Sequence, residues 1–171
     1  ATSGQLTDEL ESSANWAVRA LSSLGIVSGG LTKNAKRNEL KLRRPYLRVA
    51  NVHAAELRLN DIAEIGVTEA EFAKTKLQPG DLLIVEGNGS LEQIGRVAMW
   101  SGELEDCSHQ NHLIRWRASE SVLPKFALYF LLSPEGRRQI QAVASSTTGL
   151  HTLSVSKIGA LQMPLPGREL Q

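Results

Sequence analysis

The chain has 171 residues and a mass of 18.6 kDa, the size of one domain, and folding at that length can bury roughly 70% of the unfolded surface. A formal net charge of +1, with 42% hydrophobic and 22% charged residues, excludes a polycation, an acidic tail, a disordered polymer and a collagen-like repeat. The lone Cys107 cannot close an internal disulfide, which favours a reducing, cytoplasmic setting, and no apolar run approaches the ~18 residues of a membrane helix.

Leu10, Ala14, Ala17, Val18 and Leu21 recur at helical spacing behind Thr7, Asp8 and Glu9, so a helix is expected over 7–24, with Gly25 as its stop. The stretch 25–44 has weak periodicity and reads as a locally basic loop, carrying Lys33, Lys36, Arg37, Lys41, Arg43 and Arg44 against Glu39 alone. Tyr46 to Val52 reads as a strand. Thr68-Glu69-Ala70-Glu71 has the capping-box pattern, predicting a short helix to about Lys76 with Phe72 as its core contact. Pro79-Gly80 marks a turn into a buried strand from Asp81 to Val85, which ends at the loop Gly87-Asn88-Gly89-Ser90.

Two further strands are expected over 94–100 and 112–117, and a buried helix over 124–132. Ser133-Pro134-Glu135 then supplies an N-cap, a first-turn proline and an early acid for a second helix. Residues 145–149 read as a flexible polar loop, followed by a one-turn helix capped by Ser156 and a short strand at 163–165. The core is expected from Val49, Leu83, Ile84, Val97, Ile114, Trp116, Phe126, Phe130, Ile140, Leu153 and Ile158, with Trp100 at least partly buried. Strands and helices mix without a strict βαβ rhythm, so the fold class is α+β, a twisted mixed sheet or half-barrel with flanking helices.

Catalytic motifs fail one by one. No GxxxxGK[ST] or GxGxxG loop is present, so neither ATP nor a dinucleotide is implied as a cofactor. Asp81 and Glu86 flank a strand as in metal nucleases, but Asn88 stands where a lysine is needed. Cys107, His109 and His112 offer three ligands where a structural zinc site needs four in recognised pairs. No GxSxG elbow marks a nucleophile. Loops rich in Lys, Arg, Asn, Gln, Thr and Gly remain. They suit polar recognition, because basic groups and amides contact phosphates while Asn and Gln pair with adenine and Arg with guanine. A solvated basic face is the competing reading of 33–44.

In order, GIVSGGLTK (25–33), YLRVANV (46–52), KLQPGDLLIVEGNGSLEQIGRVAMW (76–100), HQNHLIRWR (109–117), LYFLLSPEGRRQI (128–140), STTGLHTLSVSKIGAL (146–161) and MPLPGRELQ (163–171) resemble one family. That family is the DNA specificity subunits of type I restriction-modification systems, and the match is to one target recognition domain. The resemblance implies a leading segment at 1–24 and a single recognition domain over 25–171, ending where a spacer helix begins in the family. It implies a non-catalytic reader of one half of a split double-stranded DNA site. Its partners would be adenine methyltransferase subunits, which hold S-adenosylmethionine, and a nuclease-translocase subunit, which consumes ATP. Alternatives are the recognition part of a fused restriction-methyltransferase or of a half-length dimerising subunit, or an unrelated protein-interaction module.

By matching position, the DNA-reading loops would be Gly29 to Arg44, with Lys33, Lys36, Arg37, Arg43 and Arg44; Asn88, Gly89 and Ser90, with Arg96 on the next strand; and Thr147, Thr148 and His151. Gln110 and Asn111 join them as amides at a strand entrance. The charge is uneven, six basic groups and one acid over 33–44 against three basic groups and six acids over 53–81. On this reading neutrality averages over opposite faces.

Overall fold

The computed structural model describes residues 16–171, so the part of the expected leading helix before Trp16 lies outside the described residues. The framework is a four-stranded antiparallel sheet in the order β2 (Gly25–Ser28), β11 (Leu113–Ala118), β7 (Leu82–Val85) and β9 (Val97–Met99). Every residue of β7 is buried, because both faces of this sheet are covered.

One face packs on helices. Leu82, Ile84, Val97, Ile114 and Trp116 meet Leu21 and Leu24 of α1 (Leu21–Leu24), Leu128, Phe130 and Leu131 of α3 (Pro124–Leu132), Ile140 of α4 (Pro134–Val143) and Ile158 of α5 (Val155–Gly159). Trp116 also donates its indole N–H to the Leu21 carbonyl at 2.9 Å, which fixes α1 to the sheet. The other face, Leu83, Val85, Ala98 and Leu113, meets Leu47, Val52, Leu77, Trp100 and Cys107. Trp100 is thus fully inside and has no face left for stacking on a ligand. Val49 and Phe126, expected in the core, are only half-buried at its margins.

A third cluster, Leu31, Tyr46, Ile65, Val67 and Phe72, lies between β3 (Arg43–Leu47), β6 (Ala63–Gly66) and α2 (Glu69–Thr75). There β3 pairs antiparallel with β6 and parallel with β10 (Ser108–His109). The remaining strands form three small sheets. β1 (Ala17–Ala20) pairs with β14 (Gln162–Leu165), β4 (Val52–His53) with β5 (Glu56–Leu57), and β12 (Ser145–Thr147) with β13 (Leu150–Thr152), which pairs in turn with β8 (Gly87–Asn88). The fold is α+β as expected, with its strands divided among five small sheets and no closed barrel among the described residues.

Local signals were decisive where the chemistry is local. Thr68 caps α2, with its hydroxyl accepting from the Glu71 N–H while Glu71 accepts from the Thr68 N–H. Ser133 caps α4 as expected. Several expectations of local structure need correction. Ala17–Ala20 is a strand, because the edge of β14 draws it out of a helix. Residues 25–44 contain β2, a 3-10 turn at Ala35–Glu39 and the start of β3. The strand at 46–52 begins earlier and gives way to a 3-10 turn at Val49–Asn51. The short helix near the C-terminal end is capped by Ser154, not Ser156.

Charge separation in the sequence also closes up on folding. Arg37 pairs with Glu71, Arg43 with Glu64, Arg48 with Asp61, and Arg44 and Lys76 with Asp106. The basic and acidic stretches therefore meet in one lobe and do not form opposite faces.

Candidate nucleic-acid interface

Backbone hydrogen bonds bring four separated segments to one rim. The turn from Gln110 to His112 links β10 to β11, closed by the Leu113 N–H to the Gln110 carbonyl at 3.0 Å. On one side the Asn111 N–H bonds the Leu31 carbonyl at 3.0 Å, and the Leu31 N–H bonds the His109 carbonyl at 2.8 Å. On the other, the Glu86 N–H bonds the His112 carbonyl at 3.0 Å, and the Leu153 N–H bonds the Glu86 carbonyl at 2.7 Å. The basic loop's first residues, the amide pair, the Asn88 loop and the β12–β13 hairpin are thereby contiguous.

Gly30 makes the first of these contacts possible. A Cβ there would lie 2.2 Å from the His109 carbonyl oxygen and 2.5 Å from that of Gln110, so only glycine lets the two backbones meet. Gly30→Ala is expected to cost about 1–3 kcal/mol, as overpacking does. It should also displace the Gln110–Asn111 turn, read as a lower Tm together with loss of any sequence preference in DNA binding.

Gln110 and Asn111 are half-buried, and their side-chain amides join no hydrogen bond among the described residues. They can therefore offer a donor and an acceptor each to an outside partner. Asn88 behaves differently. Its side-chain oxygen accepts from the Ser90 N–H at 2.9 Å, so it shapes the Gly89–Ser90 loop, both residues of which are exposed. His151 stands opposite Asn88 in the β13–β8 register, and Thr147 and Thr148 sit at the exposed end of the hairpin. The expected flexible loop at 145–149 is thus a two-stranded ribbon. Arg96 lies across from Val85 and is half-buried, with Nε shielded from solvent and unpartnered within the described residues.

The basic candidates divide. Lys33 and Lys36 are exposed and free of ion pairs among the described residues. Arg37 is occupied. Its side chain is 10% exposed, donates to the Thr32 and Gly66 carbonyls and forms a two-pronged contact with Glu71, whose carboxyl that guanidinium holds down at about 2. Arg43 lies beside Glu64, and Arg44 is held between Asp106 and the ring of Phe72, 4.9 Å from its centroid. These three arginines are not brought to the rim. The basic residues that neighbour it along the chain or across a strand are Lys33, two residues after Leu31, and Arg96, opposite Val85.

The zinc reading dissolves in the geometry. Cys107 is buried and its thiol is pushed up to about 12, chiefly by desolvation. His109 turns inward to the Leu113 carbonyl at 2.9 Å, while the exposed His112 faces Glu86 at 3.3 Å. No group of three His, Cys, Asp or Glu is placed to hold a metal ion among the described residues. No helix among them is long and apolar enough to cross a membrane. Leu150, 46% exposed on the hairpin, was missed as a candidate; its signal was an apolar residue directly after a Thr-Gly turn.

No protein-family model matches the chain. It is 34% identical over 138 residues to the type I restriction enzyme EcoKI specificity subunit of Escherichia coli K12, covering 78% of this chain and 29% of that subunit. It is 29% identical over 163 residues to a putative type I restriction enzyme MjaX specificity subunit of Methanocaldococcus jannaschii, covering 92% of this chain and 37% of that one. The chain thus spans roughly a third of the length of the curated relatives it matches. In fold it is similar to the crystal structure of the HsdS subunit from Thermoanaerobacter tengcongensis, with a TM-score of 0.64 at 14% identity over 90% of this chain and 38% of that one. A chain from a structure of the type I R-M system aligns with a TM-score of 0.60 at 17% identity, over 91% of this chain and 35% of that one.

Proposed function

We propose that this chain, a relative of the type I restriction enzyme specificity subunits over a domain-sized part of their length, is a target recognition domain that reads one half of a split duplex-DNA site. The observation that carries the reading is the single rim on which Gln110 and Asn111, the Asn88–Ser90 loop and the β12–β13 hairpin converge. Unpartnered amides at its centre suit base edges, and the neighbouring Lys33 and Arg96 suit phosphates.

The chemistry would belong to partners: adenine methyltransferase subunits, and a nuclease-translocase subunit, in a cytoplasmic complex. A methyltransferase that flips its adenine out of the stack needs a reader that grips the flanking duplex. With a net charge of only +1, the domain would depend on those partners for much of its hold on DNA.

The test uses the parent polypeptide in its assembly with methyltransferase subunits, presented with a pool of randomised duplexes. A selected bipartite sequence is expected, and exchanging this domain for that of another specificity subunit should change one half of it. Selection without sequence preference overturns the reading. Within it, Lys33→Ala should reduce the slope of log affinity against log salt by about 1. Arg37→Ala should leave that slope alone and lower the Tm, because its charge is spent inside the fold.

A further inference from the structure

The β12–β13 ribbon turns through Thr148 and Gly149, both at positive φ, +35° and +83°. A two-residue turn of this hand matches the twist of the flanking strands, and Asn-Gly, Asp-Gly or Gly-Gly supply it with least strain. Threonine is the unfavourable choice, since branching at Cβ crowds the backbone there and makes such a residue an outlier. Among the described residues the other non-glycine positions at positive φ are Ala55 and Asp106, neither of them β-branched. Nothing inside the fold offsets the cost at Thr148. It is exposed, and its hydroxyl joins no hydrogen bond among the described residues.

A residue held in an unfavourable conformation, with a side chain that serves no internal contact, points to a role outside the chain. We infer that Thr148 is a specificity-determining residue, carried by the ribbon into the DNA major groove with its hydroxyl and γ-methyl against base edges. This rests on the recognition reading above. The major groove admits a two-stranded ribbon, and a threonine methyl packs there against the thymine C5-methyl. Leu150, exposed on the same hairpin, adds apolar surface of the same kind. The recognised element is therefore an A·T pair, read through its methyl group.

The experiment compares the intact assembly with Thr148→Asn and Thr148→Ser, each selected on randomised duplexes. The favoured duplex is then remade with uracil for thymine. Thr148→Asn should keep or raise the Tm while losing or changing the preference at one base pair, with affinity for the original duplex down roughly 5- to 100-fold. Thr148→Ser keeps the hydroxyl without the methyl. It should bind thymine and uracil duplexes alike at the position where the parent prefers thymine. An asparagine variant that selects the parent's sequence unchanged overturns the role of Thr148 and leaves the recognition reading standing. A parent that selects nothing overturns the reading itself, and a lower Tm for Thr148→Asn overturns the backbone premise.

Discussion

Arg117→Ala should destabilise the domain by about 3–5 kcal/mol, the cost of removing one partner from a buried ion pair. Asp81 is 1% exposed, at the entrance of β7. Its Oδ1 accepts from Arg117 Nε at 2.7 Å, and its Oδ2 accepts from Arg117 Nη2 at 2.7 Å and from the Gln78 N–H at 2.8 Å. Without the guanidinium, a buried carboxylate keeps one backbone donor. The Lys76 carbonyl fares better, since Arg115 also donates to it at 3.1 Å. Against a typical total of about 5–15 kcal/mol, this loss should lower the Tm by roughly 10 °C. The apolar double variant Asp81→Leu, Arg117→Met should recover part of it, because the carboxylate leaves with its partner while the buried Arg115 loses a nearby counter-charge. Below its melting range Arg117→Ala should retain the parent's DNA preference, since Arg117 belongs to the frame and not to the rim. A thermal melt of the three proteins checks this, and a single variant as stable as the parent contradicts it.

Acid should reveal a second buried group. Desolvation, with the nearby charge of Arg115, holds His109 down at about 4 against an ordinary 6.5. The geometry gives the reason. A carbonyl can only accept, so Nδ1 carries the proton donated to Leu113, and Nε2 is a buried lone pair without a partner. Protonating Nε2 would bury a charged ring away from water and beside the Arg115 cation. The folded state therefore binds this proton less readily than the unfolded chain. Stability is complete above pH 6.5 and falls as pH drops towards 4, by on the order of 3 kcal/mol. Glu71, held down at about 2, adds its own loss only below its ordinary 4.5. The interval from 6.5 to 4.5 isolates His109 from that carboxylate. Denaturant titrations at several pH values should show the slope there reduced in His109→Gln, whose amide can still donate to Leu113. Parallel curves for variant and parent would refute the assignment.

These two groups also mark how far the residues alone could be read. Thr68, Ser133 and the Pro79-Gly80 turn act within a few residues, and each stands where the sequence places it. Arg37 looked like one more charge in a basic loop. Its partner Glu71 is 34 residues away, and only the packing of β3 against β6 and α2 brings them together. Ala17–Ala20 has helical spacing, but its conformation is decided by β14 at the far end of the described chain. For the site, the family resemblance supplied the loops, while which of them meet was written in long-range pairings such as β13 with β8. The hairpin hid behind Thr148-Gly149, a turn pair that lacks the customary asparagine.

The hairpin is joined to the frame through the two-residue β8, the Leu153 N–H and the Lys157 ammonium, which donates to the Ser145 hydroxyl, while all of β12 and its turn are exposed. Substitution along it would leave the three hydrophobic clusters untouched. Such an appendage can drift through successive sequences without disturbing the frame, its only penalties being the local ones of a turn at positive φ. A lineage of these domains could thus acquire new targets one tip residue at a time, while inheriting its scaffold unchanged.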